Sequence, residues 1–273
     1  MKRGTGFKIL RQRPRAAGQP RRRHLLDCWP QVEKRLRAAK GVALFLDFDG
    51  TLVPLRPRPK DVRLDGATRR LLQRLAHHPH LTLVVISGRE RRDLMRHIRV
   101  GGIQYLGLHG LERGGRVPPA DPAYAVLRRT RRSLAARMAR LPDIWIEDKR
   151  FSFAVQYRGA ADATRQEARC MLRETLKPLE AVLHVQPSKK VWEVLLRQAP
   201  GKGAAVTEIM KKLPAGTLPI YVGDDTTDES AFVALSKGVT VRVGALLHSK
   251  ARYKLRSPAE VKEFLERLEV SVL

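Results

Sequence analysis

The sequence predicts an α/β protein: a parallel sheet covered by helices, with a smaller α+β unit inserted into it. Three observations carry this reading. Apolar runs at 42–46, 81–86 and 218–222 alternate with helical patterns, the signature of a sheet between helix layers. The run at 42–46 is apolar throughout, as a strand buried on both faces should be. The middle of the chain, roughly 112–197, holds two helical stretches and several short strands that suit an antiparallel sheet.

The chain has 273 residues, enough for about two domains. Hydrophobic residues make up 43% and charged residues 30%, which excludes a mostly disordered chain. No run reaches the roughly 18 apolar residues that a membrane-spanning helix needs. Cys28 and Cys170 are the only cysteines, so neither a disulfide framework nor a cysteine zinc site is expected. A cytoplasmic location fits that usage.

Charge is the unusual feature. Lys and Arg number 54 against 27 Asp and Glu, a net +27. Such an excess attracts polyanions: nucleic acid, acidic lipid or phosphorylated small molecules. Residues 1–40 hold 13 cations and two acids, a net +11, which leaves +16 for the other 233 residues. The segment 1–23 combines Gly, Pro and Arg without periodicity and is expected to be a disordered basic tail. It lacks the apolar core of a secretory signal. No zinc motif or aromatic interleaving supports nucleic-acid recognition, so nucleic acid is not the expected partner. A short helix is expected over 25–40, with Trp29, Val32 and Leu36 near one face.

Ligands of parallel sheets bind beyond the carboxyl ends of the strands. The first apolar run is followed by Asp47-Phe48-Asp49-Gly50-Thr51. Two carboxylates two residues apart can supply a nucleophile and an acid or base. The second run ends in Ser87-Gly88-Arg89 at the expected start of a helix, where a hydroxyl and free N–H groups suit an anion. Gly201-Lys202-Gly203 opens another helical stretch and places an ammonium to neutralise phosphate. The third run ends in Gly223-Asp224-Asp225-Thr226-Thr227-Asp228-Glu229, four acids in six residues. Carboxylates with hydroxyls suit a hard cation such as Mg2+. Singly, each feature has a plainer reading: a turn at Asp49-Gly50, an N-cap at Ser87, a solvated Lys202, a helix cap at Asp224 or Asp228. Their order, each at a strand end or a helix start, points to one anion-and-metal site.

These residues resemble the four motifs of the haloacid dehalogenase (HAD) superfamily of phosphatases. The longer segments Asp49-Gly50-Thr51-Leu52-Val53-Pro54, Ser87-Gly88-Arg89, His109-Gly110-Leu111-Glu112 and Gly223-Asp224-Asp225 with Thr227-Asp228-Glu229 are similar to trehalose-6-phosphate phosphatases. So are Glu147-Asp148-Lys149, Tyr157-Arg158, Trp192-Glu193 and the ending Val261 with Phe264-Leu265. Gln156 stands where the family often has His, and Gly201 where it often has an acid.

The resemblance implies a Rossmann-like core at 24–111 and 198–273, with an α+β cap at 112–197 that reads the substrate. It implies hydrolysis of trehalose 6-phosphate, with Asp47 as nucleophile forming an aspartyl-phosphate and Asp49 as acid and base. Ser87 and Lys202 would hold the phosphate. Mg2+ would be held by Asp47, the Asp49 carbonyl and Asp224, with Asp225 and Asp228 nearby. Arg89, His109, Glu147, Lys149, Arg158 and Glu193 are the expected substrate-binding residues. Sucrose 6-phosphate or a glycosyl-phosphoglycerate is the alternative substrate, and a polyanion-binding protein acting through its tail is the alternative class. A monomer is expected, supplied with substrate by a separate trehalose-6-phosphate synthase.

Overall fold

The computed structural model describes residues 23–56, 62–112, 122–149, 152–188, 190–197, 201–245 and 248–272. The expected tail thus lies outside the described residues except for Arg23. That residue forms a short strand, β1 (Arg23–His24), paired with Tyr253 rather than belonging to the tail.

The core is one seven-stranded sheet. After β1 come α1 (Trp29–Arg37), β2 (Gly41–Leu46), α2 (Gly66–Ala76), β3 (Leu81–Ile86), α3 (Arg91–Ile98) and β4 (Gln104–Leu106). The chain then leaves the sheet and returns through α6 (Lys202–Met210), β9 (Thr217–Gly223), α7 (Glu229–Ala234), β10 (Val239–Val243), β11 (Tyr253–Leu255) and α8 (Pro258–Val272). Strand order is β1-β11-β10-β9-β2-β3-β4, and all pairings are parallel.

The alternation of β2 explains why both faces need helices. Val42, Leu44 and Leu46 join one buried cluster with Val32 and Leu36 of α1, Leu72 of α2 and Phe264 of α8. Ala43 and Phe45 join a separate cluster with Val206 of α6 and Phe232 of α7. Successive residues of a strand point to opposite faces, so an unbroken apolar run must be covered twice. Removing the Phe45 side chain would cost about 3–5 kcal/mol, since it is fully buried.

Between β4 and α6 the chain builds a four-stranded antiparallel sheet, β5 (Trp145–Asp148), β6 (Ser152–Gln156), β7 (Leu183–Ser188) and β8 (Val191–Leu196), in the order β5-β6-β8-β7. Two helices, α4 (Pro122–Met138) and α5 (Asp162–Leu176), cover one face. Leu127, Leu134, Leu172, Phe153 and Val194 share a core of their own there. The expected α/β class with a smaller antiparallel unit is therefore what the chain forms.

Chain order in the large sheet reverses between β2 and β9, which lie side by side. Such a switch point opens a crevice beyond the carboxyl ends of the strands. Asp47 follows β2 directly and Asp224 follows β9 directly. β4, β10 and β11 are not foreseen by the sequence reading: β4 and β11 have three residues each and carry little periodic signal, whereas the alternating valines of β10 (Val239, Val241, Val243) are a signal left unread.

Candidate active site

The crevice at the β2–β9 junction continues up to the antiparallel sheet. It is a cavity of about 460 Å³, lined by Asp47, Ser87, Lys202 and Asp224 below and by Glu147, Lys149, Gln156 and Glu193 above.

The floor is a buried charge cluster. Lys202, at the first position of α6, is 2% exposed. Its Nζ donates to Asp47 Oδ1 at 2.7 Å and to Asp228 Oδ1 at 2.6 Å. A solvated Lys202 is thereby excluded. Burial opposes its charge, but Asp228 and Asp47 more than offset this and hold its pKa well above the usual value. Asp47 is pushed up by burial and by Asp228 and Asp224, with Lys202 opposing.

Oxygens of Asp47, Asp224 and Asp228 lie within 4.8 Å of one another. Fully ionised, the three buried carboxylates and the one buried ammonium sum to −2, a charge that a divalent cation would neutralise. All-oxygen donors suit Mg2+. Within this set Asp228 is already occupied. Its Oδ1 also accepts from the Tyr221 hydroxyl at 2.7 Å, and its Oδ2 from the Asp225 N–H at 2.8 Å. It orients the cluster more than it offers a free lone pair. Gly50 makes the approach of Asp224 feasible: its φ is +84°, and a Cβ there would collide with the Asp224 carboxylate.

Asp225 lines the cavity beside this cluster. Its side chain caps the turn at Thr226–Asp228, accepting from the Thr226 N–H at 2.6 Å. Its carbonyl accepts from Arg242 Nη1 at 2.7 Å. Ser87 does not start a helix: α3 begins at Arg91, with Glu90 as its N-cap. Ser87 is 2% exposed, lines the cavity and accepts from the Arg89 N–H at 3.2 Å.

Arg89 lines the cavity, but its guanidinium is turned on Asp49 at 2.6 and 2.7 Å and on Asp93 at 2.8 Å. His109 contacts Glu193 at 3.0 Å. Glu193 is 4% exposed and also accepts from Lys149 at 3.2 Å and Ser152 at 3.1 Å. Burial raises its pKa, but Lys149 and His109 outweigh that and pull it far below the usual range. Glu147 accepts from Gln156 Nε2 at 2.8 Å, so Gln156 joins the lining. Arg158 donates to the Arg56 carbonyl at 2.6 Å and sits at the cavity edge. All thirteen residues expected from the sequence, with the exception of Asp228, line this one cavity; Asp228 lies beneath it through Lys202.

Sequence reading missed Tyr221, Asp93 and Arg242. Tyr221 could have been found by asking what satisfies a hydroxyl in a strand buried on both faces. Asp93 stands four residues after Arg89, a spacing that signals an ion pair; Arg242 carried no local signal.

Comparison with known proteins agrees with this geometry. Residues 45–259 match the family model described as Trehalose-phosphatase. Trehalose 6-phosphate phosphatase RA3 of Zea mays is 31% identical over 274 residues, covering 87% of this chain and 73% of that protein. A trehalose-phosphate phosphatase of Mycobacterium avium is 34% identical over 250 residues, covering 85% of this chain and 63% of that protein. The solved C-terminal domain of a trehalose-6-phosphate phosphatase from C. albicans superposes with a TM-score of 0.74 at 20% identity, covering 88% of this chain and 96% of that one. At that identity the likeness speaks for the fold. The family match over residues 45–259 and the 31% identical relative place the chain in the trehalose-phosphatase family, phosphoric monoester hydrolases.

Proposed function

We propose that the protein hydrolyses trehalose 6-phosphate to trehalose and phosphate through an aspartyl-phosphate on Asp47, with Mg2+ as cofactor. The observation that carries this is Lys202 Nζ bridging Asp47 and Asp228 at the floor of a cavity whose roof is polar. A cavity of about 460 Å³ lies within the usual range of small-molecule sites.

The phosphoryl group sits over Asp47, between the Ser87 hydroxyl and the Lys202 ammonium. Attack by an anionic carboxylate on an anionic phosphate is repelled in a buried site unless positive charge surrounds it. Lys202 supplies part of that charge. Asp47, the Asp49 carbonyl and Asp224 would hold Mg2+, which adds the remaining positive charge and orients the phosphate when bound. Asp47 attacks phosphorus and the leaving sugar oxygen takes a proton from Asp49. Asp49 then takes a proton from the water that hydrolyses the aspartyl-phosphate. Splitting one displacement into two is the general gain of covalent catalysis.

The 112–197 unit acts as the cap. Glu147, Lys149, Arg158 and Glu193 face the sugar hydroxyls, and closure over the core excludes water. Among the described residues no helix is long and apolar enough to cross a membrane. A cytoplasmic monomer fed by a separate synthase completes the reading. Phosphate release across a panel of sugar phosphates, with Asp47→Asn as blank, tests it. Preference for trehalose 6-phosphate is expected. Preference for sucrose 6-phosphate or a glycosyl-phosphoglycerate would move the substrate and keep the mechanism.

A further inference from the structure

Three consecutive residues between core and cap have positive φ: Leu108 at 51°, His109 at 59° and Gly110 at 99°. For the first two this is a costly conformation that persists only where the surroundings enforce it. Here the surroundings are the Ser87–Arg89 loop. The Leu108 N–H donates to the Arg89 carbonyl and the His109 N–H to the Ser87 carbonyl, both at 2.9 Å. The strained segment is thus strapped to the loop that carries the phosphate-facing hydroxyl.

Its side chain reaches the opposite end of the cavity. His109 Nε2 lies 3.0 Å from Glu193 Oε2 on β8. A carboxylate only accepts, so Nε2 carries the proton. Gly88 makes room for the ring: a Cβ there would come within 2.9 Å of His109 Cε1. Glu193 Oε1 is anchored separately by Lys149 and Ser152. His109 is therefore the one core residue bonded to this cap carboxylate among the described residues.

We propose that His109 is a positioning residue: acting through Glu193, it fixes the sugar-facing end of the cavity relative to the phosphate-holding loop. This rests on the sugar-phosphatase reading above. The His109 ring bonds to Glu193 through Nε2 and to none of Asp47, Asp224 and Asp228. Its effect is confined to substrates that reach Glu193.

The test is steady-state kinetics of the full chain with Mg2+ on two substrates. One is the sugar phosphate that the wild type turns over fastest; the other is p-nitrophenyl phosphate, which has no sugar. His109→Asn retains a residue tolerant of positive φ but too short to reach Glu193. Its KM for the sugar phosphate should rise about tenfold to a hundredfold. Its kcat/KM for p-nitrophenyl phosphate should stay within about threefold of wild type, as expected when no bond to that substrate is lost. His109→Gln, whose amide reaches the carboxylate, should recover most of the loss. In a Glu193→Gln background the His109→Asn change should add little. Equal loss on both substrates, or no loss on the sugar phosphate, overturns the proposal. If His109→Asn does not fold, His109→Gly, which also tolerates positive φ and lacks any bond to Glu193, is read by the same criterion. A wild type preferring a sugar other than trehalose overturns the substrate reading alone, and the comparison then proceeds with that sugar phosphate.

Discussion

Arg89 grips Asp49 with two parallel hydrogen bonds, Nε to Oδ2 at 2.6 Å and Nη2 to Oδ1 at 2.7 Å. Its third nitrogen reaches Asp93 Oδ2 at 2.8 Å, and its plane lies over the Phe48 ring. The carboxylate proposed as acid and base is therefore held in one orientation. A lysine offers a point charge in place of this fork. Arg89→Lys should lower kcat about tenfold to a hundredfold with a smaller change in KM. Steady-state kinetics that left kcat unchanged would show that Asp49 needs no such guide.

Asp47→Asn should reduce turnover to about a thousandth or less, because an amide is a poor nucleophile toward phosphorus. The fold should persist, since the substitution keeps the shape of a residue lodged after β2. Phosphate release by a well-folded variant at more than a few per cent of wild type would refute the nucleophile assignment.

Lys202→Met should destabilise the protein. It leaves Asp47 and Asp228 buried without their shared ammonium. Breaking a buried pair from one side costs about 3–5 kcal/mol. The urea midpoint should fall accordingly, and a loss below about 1 kcal/mol would mean that water or a cation replaces the ammonium freely.

Metal dependence should be visible without turnover. A cation that neutralises the Asp47–Asp224–Asp228 cluster binds the folded state alone. Mg2+ should therefore raise Tm, and chelation should lower it. Ca2+ should bind yet inhibit, because it accepts looser coordination than Mg2+. Full activity with Ca2+ would contradict the proposed cation site.

Acid should expose the Glu193 network. Its folded pKa is depressed below the ordinary 4.5, with Lys149 and His109 overcoming the effect of burial. A depressed carboxyl contributes stability that is present above its unfolded pKa and lost as pH falls toward its folded one. Wild-type stability should decline as pH drops below about 4.5, and the Glu193→Gln variant should decline less steeply. Parallel curves in denaturant titrations at several pH values would place the acid-sensitive group elsewhere.

Much of this protein was legible in its residues. The runs at 42–46, 81–86 and 218–222 announced central strands because a strand covered on both faces must be apolar at every position. The acids and the hydroxyl at their ends, with the lysine at a helix start, announced a site because parallel sheets gather their strand ends together. These are local patterns, and the structure keeps them. What the tertiary structure decided is how those groups pair. Arg89, expected among the substrate-binding residues, lines the cavity with its guanidinium turned on Asp49, 40 residues away in sequence. Asp228 owes its role to Lys202 and Tyr221, and His109 owes its role to Glu193, 84 residues on. Direction and partner of a charged side chain are set by which elements the fold stacks against it. No spacing within a segment encodes that, because burial makes each charge seek whichever opposite group the packing delivers.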